Sequence, residues 1–162
     1  MASFDVVSEI DDQEIGNAID QASRELAQRY DFRDTQSSIE LSDKEITLAS
    51  ISEDRLNAIK VVLEEKMVRR KVSLKALSYG EIEPAAGGTV RLKIALVAGI
   101  SSDKAKEINK FIKALGHKGV QSQTQGEQVR VTAKKRDILQ DIIASLKDSD
   151  LDIPLQFENF RS

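Results

Sequence analysis

Cysteine and tryptophan are both absent from the 162 residues, histidine occurs once, proline twice, and aromatic side chains make up only 4% of the chain. Without cysteine there can be no disulfide, thiolate metal site, iron–sulfur cluster or cysteine nucleophile, so the fold must stand on packing alone. No apolar run approaches the roughly 20 residues that a bilayer-spanning helix needs. The opening residues, MASFDVVSEIDD, are acidic where a secretion signal is basic. The expectation is a soluble cytoplasmic protein with no membrane partner. The phosphate loop G-x-x-x-x-G-K-[ST] is missing, and Gly87, Gly88 and Gly99 do not form G-x-G-x-x-G, so neither mononucleotide-hydrolysing nor dinucleotide-binding motifs are present. His117, in LGHKG just past a helix end, has no sequence partner of the kind acid–base sites require. The adjacent acids Asp11–Asp12 and Glu64–Glu65 point different ways on a helix and read as capping and solubility features. No metal-ligand spacing emerges, and no catalytic residue or cofactor is expected.

What is there begins with charge. The net charge is −3 and the isoelectric point about 5.3, which argues against a strong, salt-driven binder of long nucleic acid while permitting a local basic patch. The two halves differ in sign. Residues 1–88 carry 11 Lys+Arg against 18 Asp+Glu, whereas 89–162 carry 13 against 9, so an anion site belongs in the second half.

The chain is also a repeat. At an offset of 83, ITLASISEDRLNAIKVVL from Ile46 falls on VRVTAKKRDILQDIIASL from Val129, and Ile46/Val129, Leu48/Val131, Leu56/Leu139, Ile59/Ile142 and Leu63/Leu146 coincide. The same offset carries VSLKAL from Val72 onto LQFENF from Leu155, and at an offset of 86 FDVVSEI from Phe4 meets VRLKIAL from Val90. Each copy reads strand, helix, two strands, helix, strand. Period-two patterning marks the strands and period-3.6 stripes mark the helices, with Asp11, Ser52 and Ser102 as candidate N-caps, Gly116 as a C′ residue, and SDKE (42–45) and QGEQ (125–128) as hairpin turns. YGEIEPAAGG, from Tyr79, is the only Pro/Gly-rich stretch and reads as the linker between copies. Such a unit packs as an antiparallel sheet with both helices on one face, so the pattern predicts an α+β protein built from two βαββαβ, ferredoxin-like or RNP-like sandwiches.

Function then depends on what the uncovered sheet faces and helix starts present. Alternation turns Arg91, Lys93, Gln128, Arg130 and Thr132 outward, with Asp5, Val7 and Glu9 on the first strand, and no strand carries the aromatic pattern on which RNA-recognition modules stack bases. Phe4, Phe111 and Phe157 lie on apolar stripes and read as core. Lys134, Lys135 and Arg136 fall where a helix begins, at the positive end of its dipole, where cations are unfavourable and an anion is favoured. With Arg130 and the turn residues Gln125 and Gly126 they form the candidate phosphate site. The bland reading is a solvated helix start, with Asp137 compensating the dipole. Arg69, Arg70 and Lys71, at a helix C-terminus where cations belong, are a secondary basic patch.

The segments SFDVVSEID (3–11), NAIDQASRELAQRYDFR (17–33), QGEQVRVTAKKRDILQ (125–140) and LQFENFR (155–161) resemble the YajQ family of small bacterial proteins. The resemblance implies tandem ferredoxin-like domains with exchanged N-terminal strands: 11–88 completed by the strand 89–98, and 99–162 completed by the strand 1–10. It implies a non-enzymatic binder of purine nucleotide, cyclic di-GMP or tRNA that acts through a protein partner such as a transcription regulator. Gln125, Gly126, Arg130, Arg136 and Asp137 match the family's Q-G-E-x-V-R-V-T-x-K-x-R-D pattern, and Asp31, Phe32 and Arg33 its D-F-R. This chain departs at Ala133 and Lys135, where the family pattern has glycine and a capping serine, so a weaker helix cap and a higher local charge are expected. The rival expectation is a protein-interaction adaptor with incidental nucleotide affinity. A phosphoryl-transfer or acylphosphatase-like enzyme on the same sandwich is the third.

Overall fold

The helices form where an apolar stripe follows a capping side chain. In the computed structural model, which describes residues 1–162, the chain runs β1 (Ala2–Val7), α1 (Asp12–Gln28), β2 (Ser38–Ser42), β3 (Glu45–Ser50), α2 (Glu53–Arg69), β4 (Leu77–Pro84), β5 (Val90–Leu96), α3 (Ser102–Ala114), β6 (Gln121–Gln125), β7 (Gln128–Ala133), α4 (Arg136–Lys147) and β8 (Gln156–Arg161). The Asp11 carboxylate accepts from the amides of Gln13 and Glu14 at the start of α1. Ser52 accepts from Arg55 at the start of α2. At α3 the cap is Ser101, whose hydroxyl accepts from Lys104 at 3.2 Å, and not the expected Ser102. Two serines stand side by side there, and only the extended backbone of the first selects it. Gly116 takes φ +75° just beyond α3, as a C′ residue does. None of the helices is long and apolar enough to cross a membrane.

Two four-stranded antiparallel sheets result, ordered β6-β7-β1-β8 and β2-β3-β5-β4. The first strand of the chain pairs on both sides with strands of the second copy, Phe4 opposite Val131 and Val6 opposite both Val129 and Phe157. Reciprocally, β5 pairs with β3 and β4 of the first copy. Each sheet thus has the ferredoxin-like strand order with its central strand supplied by the other copy, and the repeat is strand-exchanged. One compact unit, unit 1 below, comprises Met1–Glu9 and Ala98–Ser162; the other, unit 2, is Ile10–Val97.

In unit 2, Ile46, Leu48, Leu92 and Ile94 of the sheet pack on Ile15 and Ala18 of α1 and Leu56, Ile59, Leu63 and Met67 of α2. Each of these Leu, Ile and Met side chains contributes about 1.5–3 kcal/mol on leaving water. The two helices are also pinned by charge: the buried Lys66 ammonium lies 2.8 Å from Glu25, and Arg70 lies 2.9 Å from Glu14. In unit 1, Phe4, Val6, Val129, Val131, Ile108 and Ile142 are buried, while Phe111 and Phe157 are only half-buried.

The stretch expected to link the copies is instead structured. Leu77–Pro84 is strand β4, and only the tight turn Ala86–Gly88 connects it to its neighbour β5. Gly80 had disguised the strand: the register shifts between Tyr79 and Ile82, and a Cβ at Gly80 would stand 3.0 Å from the Lys93 carbonyl oxygen, so the approach of β5 requires glycine. The matching of VSLKAL to a strand also fails over its first part, where Leu74–Ala76 forms a single 3-10 turn.

Candidate functional site

The residues singled out around β7 separate to its two ends. Gln125 and Gly126 sit at the β6–β7 hairpin tip, Gly126 with φ +63°, where Gln125 lines a shallow cleft of about 220 Å³ with Glu9, Gly99 and Glu127. Lys134, Lys135 and Arg136 follow the other end of the strand. At ~3.3 Å per residue, the run from Gln128 to Ala133 places roughly 17 Å between the groups, so they do not form one phosphate seat. The hairpin end is acidic as well, with Glu127 Oε1 only 3.2 Å from where a Cβ on Gly99 would lie.

Arg130, between these ends, is engaged. It stands opposite Asp5 in the β1–β7 register and donates from Nε at 2.9 Å and from an Nη at 3.3 Å to the two carboxylate oxygens. Asn159, held at φ +62° where β8 bulges, donates to the same carboxylate at 2.8 Å. The Arg130 guanidinium foremost, then the Asn159 amide, hold the Asp5 carboxyl below its ordinary range against the opposing effect of its burial, and Arg161 adds a weaker pull. Arg130 therefore clamps the exchanged strand. Of the other outward cations, Arg91 and Lys93 belong to unit 2, where Arg91 pairs with Glu83 at 3.3 Å.

At the start of α4 the picture reverses. Lys135 occupies the N-cap position in extended backbone and makes no side-chain cap, so the first amides of α4 lack the partner that a serine would supply. The stem of Lys134 crosses Gly119, its Cγ and Cδ 3.7 Å from where a Cβ there would be. Arg136 opens the helix and lines a cleft of about 330 Å³ with Ser3, Leu139, Gln140, Phe160 and Arg161. Neither the Arg136 nor the Arg161 guanidinium makes a side-chain hydrogen bond or ion pair, and Arg161 acts on Asp5 only as a distant charge. Phe160 is 54% exposed and leans on buried Phe4, ring centroids 5.9 Å apart, leaving much of the ring to solvent. Neither Arg161 nor Phe160 is among the candidate site residues that the sequence offers. The only signal for them was that LQFENFR ends in an aromatic–cation pair that the apolar alternation does not use.

The duplication supplies an internal control. At the same place in unit 2, Ser52, Glu53 and Asp54 stand where unit 1 has Lys135, Arg136 and Asp137. That helix is capped by Ser52 and acidic in its first turn. The start of α2 follows the dipole, whereas at α4 two cations precede the single acid Asp137 and oppose it. The secondary patch does not assemble. Arg69 pairs with Glu65 at 3.0 Å and Arg70 with Glu14, and only Lys71, at φ +62°, is left over. His117 lines a cleft along α3 with Lys110 and Lys113. No cluster of three or more His, Asp or Glu side chains is placed to hold a metal ion.

The fold defines a strand-exchanged tandem ferredoxin-like protein, whose unit 1 carries a cleft lined by Arg136, Arg161 and Phe160. The chain belongs to the YajQ-like nucleotide-binding protein family, whose profile matches residues 2–161. Relatives of the same length bear it out. A nucleotide-binding protein of Desulfitobacterium hafniense is 52% identical over 160 residues, 99% of this chain and 98% of its own. Another, of Heliobacterium modesticaldum, is 52% identical over 161 residues, 99% and 98% of the two chains. One of Mycobacterium tuberculosis is 50% identical over 161 residues with the same coverage.

Proposed function

We propose that this protein binds a purine nucleotide reversibly and without turnover, its phosphate seated by Arg136, Arg161 and the free amides of α4 and its base laid on Phe160. The observation that carries the reading is the convergence of two unpartnered guanidinium groups and an exposed aromatic ring on one cleft at an uncapped helix start. Arginine suits this position because its planar fork meets phosphate bidentately, and the cleft, at about 330 Å³, suits a single nucleotide unit. Cyclic di-GMP would place one of its halves there, and tRNA one exposed base. Lys134 and Lys135 add to the local field without lining the cleft. Ligand occupancy then biases a contact with a protein partner in the cytoplasm, a transcription regulator being the kind the family resemblance implies.

Calorimetric titration at physiological salt with GMP, cyclic di-GMP and tRNA tests this. Arg136→Ala and Arg161→Ala each weaken the preferred ligand by about 1.5 kcal/mol, roughly tenfold. Phe160→Ala costs about 1 kcal/mol or more if a base stacks there. Unchanged affinity in the double arginine variant rejects the site. A second reading, a protein-interaction adaptor, is favoured by Val61 and Val68, two turns apart on α2 and 64% and 59% exposed. Nucleotide affinity that stays millimolar and disappears with modest salt decides for it.

A further inference from the structure

Unit 2 has a larger cleft, about 530 Å³, between the end of α1 and the start of β2. Its walls are built to an unusual standard for a surface loop. The Arg29 guanidinium lies 4.9 Å over the ring of buried Phe32, donates twice to the Asp31 carboxylate at 3.0 and 2.7 Å, and donates to Glu25 at 3.1 Å. From the first turn of α2, Arg55 reaches the Asp31 carbonyl oxygen at 3.1 Å. Arg29 is thereby spent on holding the turn in place.

The chain that follows is held in a conformation that its residues resist. Asp34 at φ +59° and Gln36 at φ +52° are both left-handed without being glycine, a conformation that L side chains disfavour. A buried hydroxyl network keeps them there. Thr35 Oγ1 donates to the Phe32 carbonyl at 2.6 Å, Ser37 Oγ meets Thr35 Oγ1 at 2.6 Å, and Ser50 Oγ donates to the Thr35 carbonyl at 3.2 Å. What this frame displays is not used by the fold. Tyr30 is 85% exposed, and neither its hydroxyl nor the guanidinium of exposed Arg33 has a hydrogen bond or ion pair. An aromatic ring in water adds nothing to the core, and the other arginine of the cleft is already neutralised.

We infer that this cleft is a second ligand site, independent of the one in unit 1, for a planar heterocycle joined to an anionic group: a nucleoside phosphate whose base stacks on Tyr30 and whose phosphate engages Arg33. The chemistry follows from the two unspent side chains. A phenol ring offers a face to any planar base, a guanidinium pairs with phosphate oxygens, and the neighbouring hydroxyl of Ser38 and amides of Gln28 and Gln36 supply donors and acceptors for the base edge. The volume falls well within the range of small-molecule sites.

The test is a titration of the full chain with GMP followed by amide and aromatic NMR. Two clusters of shifts are expected, one over residues 28–38 including the Tyr30 ring protons and one around Arg136 and Phe160. Tyr30→Ala and Arg33→Ala each weaken the first cluster at least tenfold and leave the second unchanged, while Tyr30→Phe keeps both. Ribose 5-phosphate, lacking the base, binds the first cluster at least tenfold more weakly than GMP. Because Tyr30 and Arg33 are exposed and unpartnered, these variants retain the fold, which the undisturbed remainder of each spectrum verifies. A first cluster that fails to appear at saturating GMP, that survives Tyr30→Ala, or that responds equally to ribose 5-phosphate overturns the inference. Loss of the second cluster alone, in Arg136→Ala, bears only on the unit 1 site.

Discussion

Asp5 shows how one side chain can belong to stability rather than to binding. It is buried, and the Arg130 fork and the Asn159 amide satisfy its carboxylate. Asp5→Ala removes those charge-assisted bonds and is expected to cost about 2 kcal/mol in urea unfolding at pH 7. The pH dependence has a definite sign. The folded-state carboxyl titrates below its ordinary range, chiefly because of Arg130. Its contribution is therefore complete above the unfolded value near pH 4, declines below it, and is lost as pH falls through the folded value. The gap in stability between the natural chain and Asp5→Asn should accordingly be widest at neutral pH and narrow toward pH 3. A gap independent of pH would mean that the pair is not ionised. Arg130 belongs to the candidate phosphate site by sequence because its partner lies 125 positions away, and alternation tells which face a residue takes but not what stands opposite it. The same limit hid Phe160 and Arg161. They reach the cleft because β8 lies against β1 and bulges at Asn159, which no local pattern announces.

At the scale of elements, the duplicated helix starts make a matched pair. Those of α2 and α4 were legible because both carry their apolar stripes at a constant offset, and the weaker cap expected from Lys135 is the one observed. Hairpin turns were legible for the same reason: Asp43 and Gly126, equivalent in the repeat, both have positive φ. Strand β4 was not, because a glycine and a bulge erased its alternation. The cap leads to a trade-off that can be measured in one variant. Lys135→Ser restores a side-chain acceptor to the first amides of α4 and should raise stability by about 1 kcal/mol. It also occupies an amide and removes a cation beside the cleft, so nucleotide affinity should fall severalfold. Denaturant unfolding and calorimetry on the same preparation check both halves, and a variant that gains stability with no loss of affinity would separate the helix start from the ligand site.

At the scale of the whole molecule, strand exchange makes the two units unequal. Unit 2 is one continuous segment, Ile10–Val97, holding all the strands of its sheet, whereas unit 1 is assembled from Met1–Glu9 and Ala98–Ser162. Its sheet is built around β1, which pairs with β7 on one side and β8 on the other and contributes Phe4 and Val6 with no exposed surface. Periodicity located these strands but could not assign them to a sheet, since a strand's own pattern is the same whichever neighbour it pairs with; only the family resemblance suggested the exchange. Deleting residues 1–9 therefore should not trim a terminus. It removes a central strand, leaves β7 and β8 without a shared neighbour, and exposes the apolar faces of α3 and α4. Hydrogen exchange on the shortened chain should show unit 1 amides in β6–β8 and α4 losing protection by orders of magnitude, while those of β3, β5 and α2 remain slow. Protection lost equally in both units would mean that they fold as one cooperative body, and protection retained in β7 would mean that β1 is not the strand on which that sheet depends.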